Sequence, residues 1–247
     1  KNQLIWYSVL ALFRCVSSSP AAAVQALNNR LKNQEGDSVE EEDFIINDLD
    51  NVDEGTDSDV EPALWFDESA ELNTLLAEAR TLAGSKNDPK IRLLAKHGTE
   101  PLADGFNPVI FSRFVATAQN VYDALKEELK KEDDVAIGCV TVELVPGERE
   151  DRVNDLGEKE KRVLVATDCL SEGINLQDLF TAVVHYDLAW NPTRHEQREG
   201  RVDRFGQKAK EVRCSMIYGE NNPVDGFILK VILRKSEEIK KDLGVIV

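Results

Sequence analysis

From residue 107 onward, short apolar runs alternate with amphipathic stretches, and that alternation leaves few folds open. Val109-Ile110-Phe111 reads as a strand, followed by a helix over 116–130 with Val121, Leu125 and Leu129 on one face. A second strand region spans 135–145, a short helix 148–156, and a third strand Val163-Leu164-Val165-Ala166. Residues 182–186 give a fourth strand, 193–204 a helix, and 212–218 a fifth strand. A terminal helix over 224–243 follows, with Gly244 suited to its C′ position. Such strand–helix alternation predicts an α/β fold, a parallel sheet covered by helices. In open parallel sheets, ligands bind beyond the carboxyl ends of the strands. Ser112-Arg113, Thr167-Asp168 and the loop 187–192 all fall there.

The first hundred residues read differently. Two helices are expected over 4–15 and 20–32, with Ser17-Ser18-Ser19 as N-cap candidates and Pro20 in the first helical turn. Lys1, the apolar run 4–13 and Pro20-Ala21-Ala22-Ala23 imitate a secretory signal. Without an initiator Met, and with Arg14 directly after the run, an amphipathic or buried helix is favoured. No segment reaches the roughly 20 apolar residues of a membrane span. Residues 1–34 are thus a helical extension. Residues 35–61, with Phe44, Ile45 and Ile46 as their only apolar cluster, are read as a disordered acidic linker. Residues 62–104 form a helical lead-in, in which Leu72, Leu75, Leu76, Ala79 and Leu82 predict a helix over about 67–83. Asp67 reads as its N-cap rather than as half of a magnesium-binding Asp-Glu pair. The sheet domain occupies 105–247.

The net charge of −16 argues against a nucleic-acid partner only until it is located. Residues 35–61 hold 13 Asp/Glu and no Lys/Arg, which leaves 33 acids against 30 bases, or −3, elsewhere. Within 194–213 seven Arg/Lys face four Asp/Glu, so the local sign is positive. The cysteines Cys15, Cys139, Cys169 and Cys214 show no CxxC or Cys/His grouping. This predicts no metal site and no disulfide framework, and fits reduced thiols in the cytoplasm. Cys139 and Cys214 sit in strand runs, where core packing is expected.

Within the basic stretch, Gln197, Gly200, Arg201 and Arg204 stand at i, i+3, i+4 and i+7 of the expected helix, a single stripe. Two planar guanidiniums on one face suit bidentate binding of phosphate oxygens. Gly200 between them would let another surface approach. Taken alone, the octamer 197–204 reads as a solvated helix face with local Arg/Glu pairing. Its neighbours decide otherwise. Val109-Ile110-Phe111-Ser112-Arg113-Phe114, Ala166-Thr167-Asp168-Cys169-Leu170-Ser171-Glu172-Gly173-Ile174-Asn175-Leu176 and Gln197-Arg198-Glu199-Gly200-Arg201-Val202-Asp203-Arg204 resemble motifs IV, V and VI of superfamily 2 helicases. Trp190-Asn191-Pro192 and Phe205-Gly206-Gln207 are similar to the flanks of the Swi/Snf-like ATPases. The resemblance is to their C-terminal RecA-like lobe and covers about 105–245. Residues 1–34 look similar to helical material that follows the first lobe in bacterial members.

The resemblance implies roles residue by residue. Arg201 and Arg204 would be arginine fingers for the ATP γ-phosphate, with Gln197, Gly173, Asn175 and Gly200 lining the nucleotide cleft. Thr167, Ser112 and Arg113 would contact the nucleic-acid backbone, although Thr167 suits a plain strand-end cap equally well. ATP hydrolysis also needs a GxxxxGK[ST] loop and a magnesium-holding carboxylate, and no Gly-Lys-Ser/Thr occurs here. The expectation is half of a motor, with ATP and Mg2+ bound mainly by a first RecA-like lobe outside this sequence. Its predicted partner is duplex DNA, driven as a translocase. The alternatives are a strand-separating DNA or RNA helicase lobe, or a non-enzymatic module whose acidic segment binds a basic partner.

Overall fold

A computed structural model describes residues 11–34, 69–84, 87–97, 100–132, 134–171, 174–189, 192–222 and 225–234. The acidic 35–61 stretch, Asp67, Gly173, Trp190-Asn191 and the ends of the first and last expected helices lie outside those residues. In chain order the elements are helix α1 (11–18), α2 (Pro20–Gln34), α3 (Ser69–Leu82), α4 (Pro89–His97) and α5 (Glu100–Ala103). Then come strand β1 (Pro108–Phe111), α6 (Val115–Glu128), β2 (Val135–Val140), α7 (Pro146–Leu156) and β3 (Lys161–Ala166). Strand β4 (Ala182–His185), α8 (Pro192–Val202), β5 (Arg213–Met216) and α9 (225–234) complete the described chain.

The five strands form one parallel sheet in the order β2-β3-β1-β4-β5. Alternation along each strand sends side chains to two cores. Ile110, Val163, Val165 and Val184 pack with Val121 and Leu125 of α6 and with Ile91 and Leu94 of α4. Val109, Phe111, Leu164 and Val183 pack on the other face with Val153 and Leu156 of α7 and Val202 of α8. All four β1 residues are buried, because this strand is central and covered on both sides. Gly138 in β2 has a packing reason: a Cβ there would stand 3.0 Å from Leu156 Cδ1, so the missing side chain lets α7 seat.

Several boundaries moved. Strand β2 stops at Val140, and 141–145 turn into α7, with Pro146 at its start. Helix α8 ends at Val202, two residues short of Arg204. Strand β5 is an exposed edge throughout, so Cys214 is exposed while Cys139 is buried, contrary to the expected core role for both. Helix α3 buries Leu76, but Leu75 and Leu82 of its apolar stripe stay about half exposed. Ile91, Leu94 and Leu102 belong to the sheet core, so the compact unit takes in α4 and α5, which precede residue 105. Among the described residues no helix is long and apolar enough to cross a membrane.

Candidate functional site

Parallel strands end at a common edge, and register fixes who stands there. Val140, Ala166, Phe111, His185 and Met216 form one row across the sheet, and the next residue of each chain forms the rim. Ser112 is fully buried on that rim: its N–H donates to Ala166 O at 2.9 Å and its hydroxyl to Phe114 O at 3.4 Å. Thr167 is buried too, its N–H donating to Val140 O at 3.1 Å and its hydroxyl to Cys169 Sγ at 3.3 Å. Both hydroxyls therefore tie the rim together and face inward. Arg113 is half-buried, its N–H donating to Asp187 Oδ2 at 2.9 Å and its guanidinium lying 5.7 Å from the centre of the Phe114 ring. Removal from water, then the like charges of Arg14 and Arg194, lowers Arg113 to about 10.

Helix α8 carries two adjacent stripes. His195, Arg198 and Val202 turn inward and are buried, while Arg194, Gln197 and Arg201 stand on the face beside them. Burying an arginine requires a partner for its charge. Arg198 has a bidentate one: its Nε and Nη2 donate to Asp168 Oδ1 and Oδ2 at 2.6 and 2.8 Å. Its Nη1 donates to Asp187 O at 3.2 Å, and the guanidinium lies 5.6 Å from the centre of the Phe111 ring. Arg194 approaches the same carboxylate at 3.7 Å. Burial by itself would raise the Asp168 carboxyl. The charge and hydrogen bonds of Arg198, joined by Arg194 and Arg113, override it and hold Asp168 below its ordinary value. On the inner face His185, fully buried, pairs with Glu199 at 3.0 Å, and His195 meets the His185 ring edge-on with centroids 4.5 Å apart. His195 Nε2 accepts the Ala189 N–H at 3.0 Å.

A small open cavity lies between the β3 end and α8, lined by Phe111, Asp168, Leu170, Arg194, Gln197, Arg198 and Arg201. The structure thus brings Gln197 and Arg201 together, as the spacing required. Arg204 stands apart: it is exposed, past the helix end, and outside the cavity lining. The observed stripe is Arg194–Gln197–Arg201 rather than one running on to Arg204. Gly200 is exposed, and a methyl there would meet nothing within 4 Å, so this face is open to an incoming surface. Asn175 is exposed away from these contacts, and Gly173 lies outside the described residues.

The donor set decides which chemistry the cavity can meet. Guanidiniums and an amide without spare carboxylates suit phosphate oxygens. The nearby Asp168 is committed to Arg198, and among the described residues no His/Cys/Asp/Glu group could hold a metal ion. The cavity lining thus presents three guanidiniums and an amide, donors of the kind that suit phosphate oxygens. Sequence reasoning missed Arg198, Arg194, Asp168 and Asp187. Arg198 falls at an unspecified place of the Q-x-x-G-R pattern, and no local signal marked it for burial. The one signal for Asp168 and Asp187 was position: each follows a strand end.

Residues 90–206 match the helicase conserved C-terminal domain family. Over 98 residues the chain is 39% identical to the uncharacterized ATP-dependent helicase YqhH of Bacillus subtilis, covering 39% of this chain and 17% of that protein. Over 114 residues it is 28% identical to the ATP-dependent RNA helicase eIF4A of Meyerozyma guilliermondii, covering 46% of this chain and 28% of that one. The chain thus spans well under a third of the length of these relatives. Among solved structures, the C-terminal part of the Fun30 ATPase domain shares the fold at a TM-score of 0.50 and 20% identity, with 87% of this chain and 73% of that one covered. The matched residues hold strands β1 to β4 and helix α8, four of the five strands of the parallel sheet.

Proposed function

We propose that this chain is the second motor lobe of an ATP-dependent translocase or helicase acting on double-stranded DNA. The observation that carries the reading is the cavity where Gln197 and Arg201 converge with Arg194 and the Asp168–Arg198 clamp. Arg201 extends from a helix whose buried side is fixed, so its guanidinium is held before the nucleotide arrives. Preorganised positive charge at a transferring phosphoryl group acts on the transition state without further reorganisation. Arg204, on the bend after α8, reaches the phosphate from outside the cavity as a second finger. ATP, with its Mg2+, is held mainly by a first RecA-like lobe that carries the phosphate loop, so the 247-residue chain alone turns over no ATP. Arg113 supplies the nucleic-acid contact. Ser112 and Thr167, turned inward, shape the rim that presents it.

Changing Arg201 or Arg204 to Ala in the two-lobed protein should abolish turnover while leaving nucleotide binding largely intact. Turnover that survives both changes sinks the motor reading. The choice of duplex DNA rests on the Trp190-Asn191-Pro192 and Phe205-Gly206-Gln207 flanks. The similarity to an enzyme named as an RNA helicase favours a second reading, a strand-separating lobe on RNA or DNA. ATPase stimulation by duplex DNA, single-stranded DNA and RNA, measured side by side, decides between them. A chain that binds a basic partner and never supports turnover would instead be an interaction module.

A further inference from the structure

The helical extension is bonded into the rim at several points. Ser17, Ser18 and Ser19, at the α1–α2 junction, reach three other parts of the fold. Ser17 Oγ donates to Asp225 Oδ1 at 2.7 Å, and Asp225 Oδ2 accepts the Gly219 N–H at 2.7 Å. Ser19 and Ser18 each stand 2.7 Å from Thr117 Oγ1 in α6, and Ser18 Oγ stands 2.9 Å from Asp187 Oδ2. A carboxylate only accepts, and each hydroxyl has one proton to give. The direction is therefore fixed: Ser19 donates to Thr117, Thr117 to Ser18, and Ser18 to Asp187.

Asp187 is the end of that relay and the start of two others. Its Oδ2 also accepts the Arg113 N–H at 2.9 Å, and its Oδ1 accepts from Lys90 Nζ at 3.3 Å. Lys90 spends its other protons on Ser17 O and Ser18 O, at 3.3 and 3.2 Å, with Nζ 4.6 Å from the centre of the Tyr186 ring. The Asp187 carbonyl accepts from Arg198 Nη1 at 3.2 Å. One buried residue thus holds the Arg113 arm by its side chain and the Arg198–Asp168 clamp by its backbone.

We propose that Asp187 is a positioning residue that couples the nucleic-acid arm at Arg113 to the arginine helix α8, and that the α1–α2 junction sets its position. This rests on the motor reading above. Force on the Arg113 backbone acts on the Asp187 carboxylate, and the same residue's carbonyl aligns Arg198, one turn from Arg201. The extension is then part of the motor rather than an appendage, because Ser18 and Lys90 fix the rotamer of Asp187.

The test uses the two-lobed protein and reads the ratio of nucleic-acid-stimulated to basal ATP hydrolysis. Asp187→Asn keeps the shape and removes the charge that Lys90 answers. It should lower the ratio about tenfold, within the range usual for coupled sites, with the KM for ATP changed less than about twofold. Ser18→Ala, which deletes one link of the relay, should lower it by a smaller factor in the same direction. A merely structural Asp187 would reduce the amount of active protein and lower both rates alike, so an unchanged ratio in both variants overturns the proposal. If Asp187→Asn does not fold, Ser18→Ala decides by the same ratio. A wild-type protein without nucleic-acid-stimulated hydrolysis overturns the motor reading itself, before any variant is made.

Discussion

The two ends of the 197–204 motif carry arginines, and the fold treats them in opposite ways. Near its start, inside helix α8, Arg198 is 4% exposed and clamped on Asp168 by two short bonds, with a third to the Asp187 carbonyl. At its exit Arg204 lies in solvent on a bend, beside a fully exposed Phe205 and a Gly206 with φ of 101°. That exit is nevertheless ordered by Gln207. Its Nε2 donates to Phe180 O and Val202 O at 3.1 and 2.9 Å, and its Oε1 accepts from Ala209 N at 2.9 Å. The buried arginine is tied into the fold by three hydrogen bonds, and the other stands exposed beyond the helix. Arg201 stands between them, on the helix but facing the cavity. One basic motif thus holds both buried, paired charge and exposed charge, and position on the helix face separates them.

The largest effect should fall on Arg201. In the two-lobed protein Arg201→Ala should lower ATP turnover about 10³–10⁵-fold, roughly 4–7 kcal/mol of barrier. The denaturant midpoint of this chain should stay near the wild type's, and a large drop would make Arg201 a structural residue like Arg198. Next comes Arg198→Ala, expected to cost about 3 kcal/mol of stability, because removing the bidentate partner leaves the Asp168 charge with only the longer contact to Arg194. A loss no greater than that of Arg204→Ala, measured by urea unfolding, would erase the contrast between the two ends.

Acid should act on the buried end alone. Burial, followed by the neighbouring His185 and Arg198, lowers His195 to about 4 from an ordinary 6.5. Between those values the unfolded chain takes up a proton that the folded chain refuses. Stability is therefore at its full value above pH 6.5 and falls as pH drops toward about 4. Asp168, held low by Arg198, adds a further loss below its ordinary carboxylate range, as pH falls through its depressed folded value. His195→Gln should flatten the slope between pH 6.5 and 4 in urea titrations and leave the lower step in place. Smallest of all is Arg204→Ala, expected to shift stability within about 0.5 kcal/mol, as exposed substitutions usually do. A shift beyond about 1 kcal/mol would show that the exit bend depends on this side chain.

Legibility in the sequence followed the range of the interactions. Strands β1, β3 and β4 were readable from runs such as Val109-Ile110-Phe111, because a strand buried on both faces must be continuously apolar. Ser19 as a cap was readable too, and its Oγ does accept the Ala22 N–H at 3.1 Å ahead of Pro20. The cap of α4 was overlooked, although Asp88-Pro89 is a local signal and Asp88 Oδ1 accepts from Lys90 N at 2.8 Å. The exposure of β5 and Cys214 was not readable, since strand order is a long-range outcome and any strand can become an edge. For the site, spacing placed Gln197 and Arg201 on one face, but it could not show that α8 stops at Val202 and leaves Arg204 beyond it.

What the sequence determined by itself was the periodicity: which stretches are strands or helices, and that loops after the strands gather at one edge. These depend on side chains a few residues apart along one element, where backbone geometry fixes their relative direction. Only the tertiary structure decided that Arg198 is buried on Asp168, 30 residues away, and that Ser18 and Lys90 meet at Asp187, 169 and 97 residues away. A charge is buried only where a distant partner and its hydrogen bonds offset the loss of water. Chain folding alone brings such partners together.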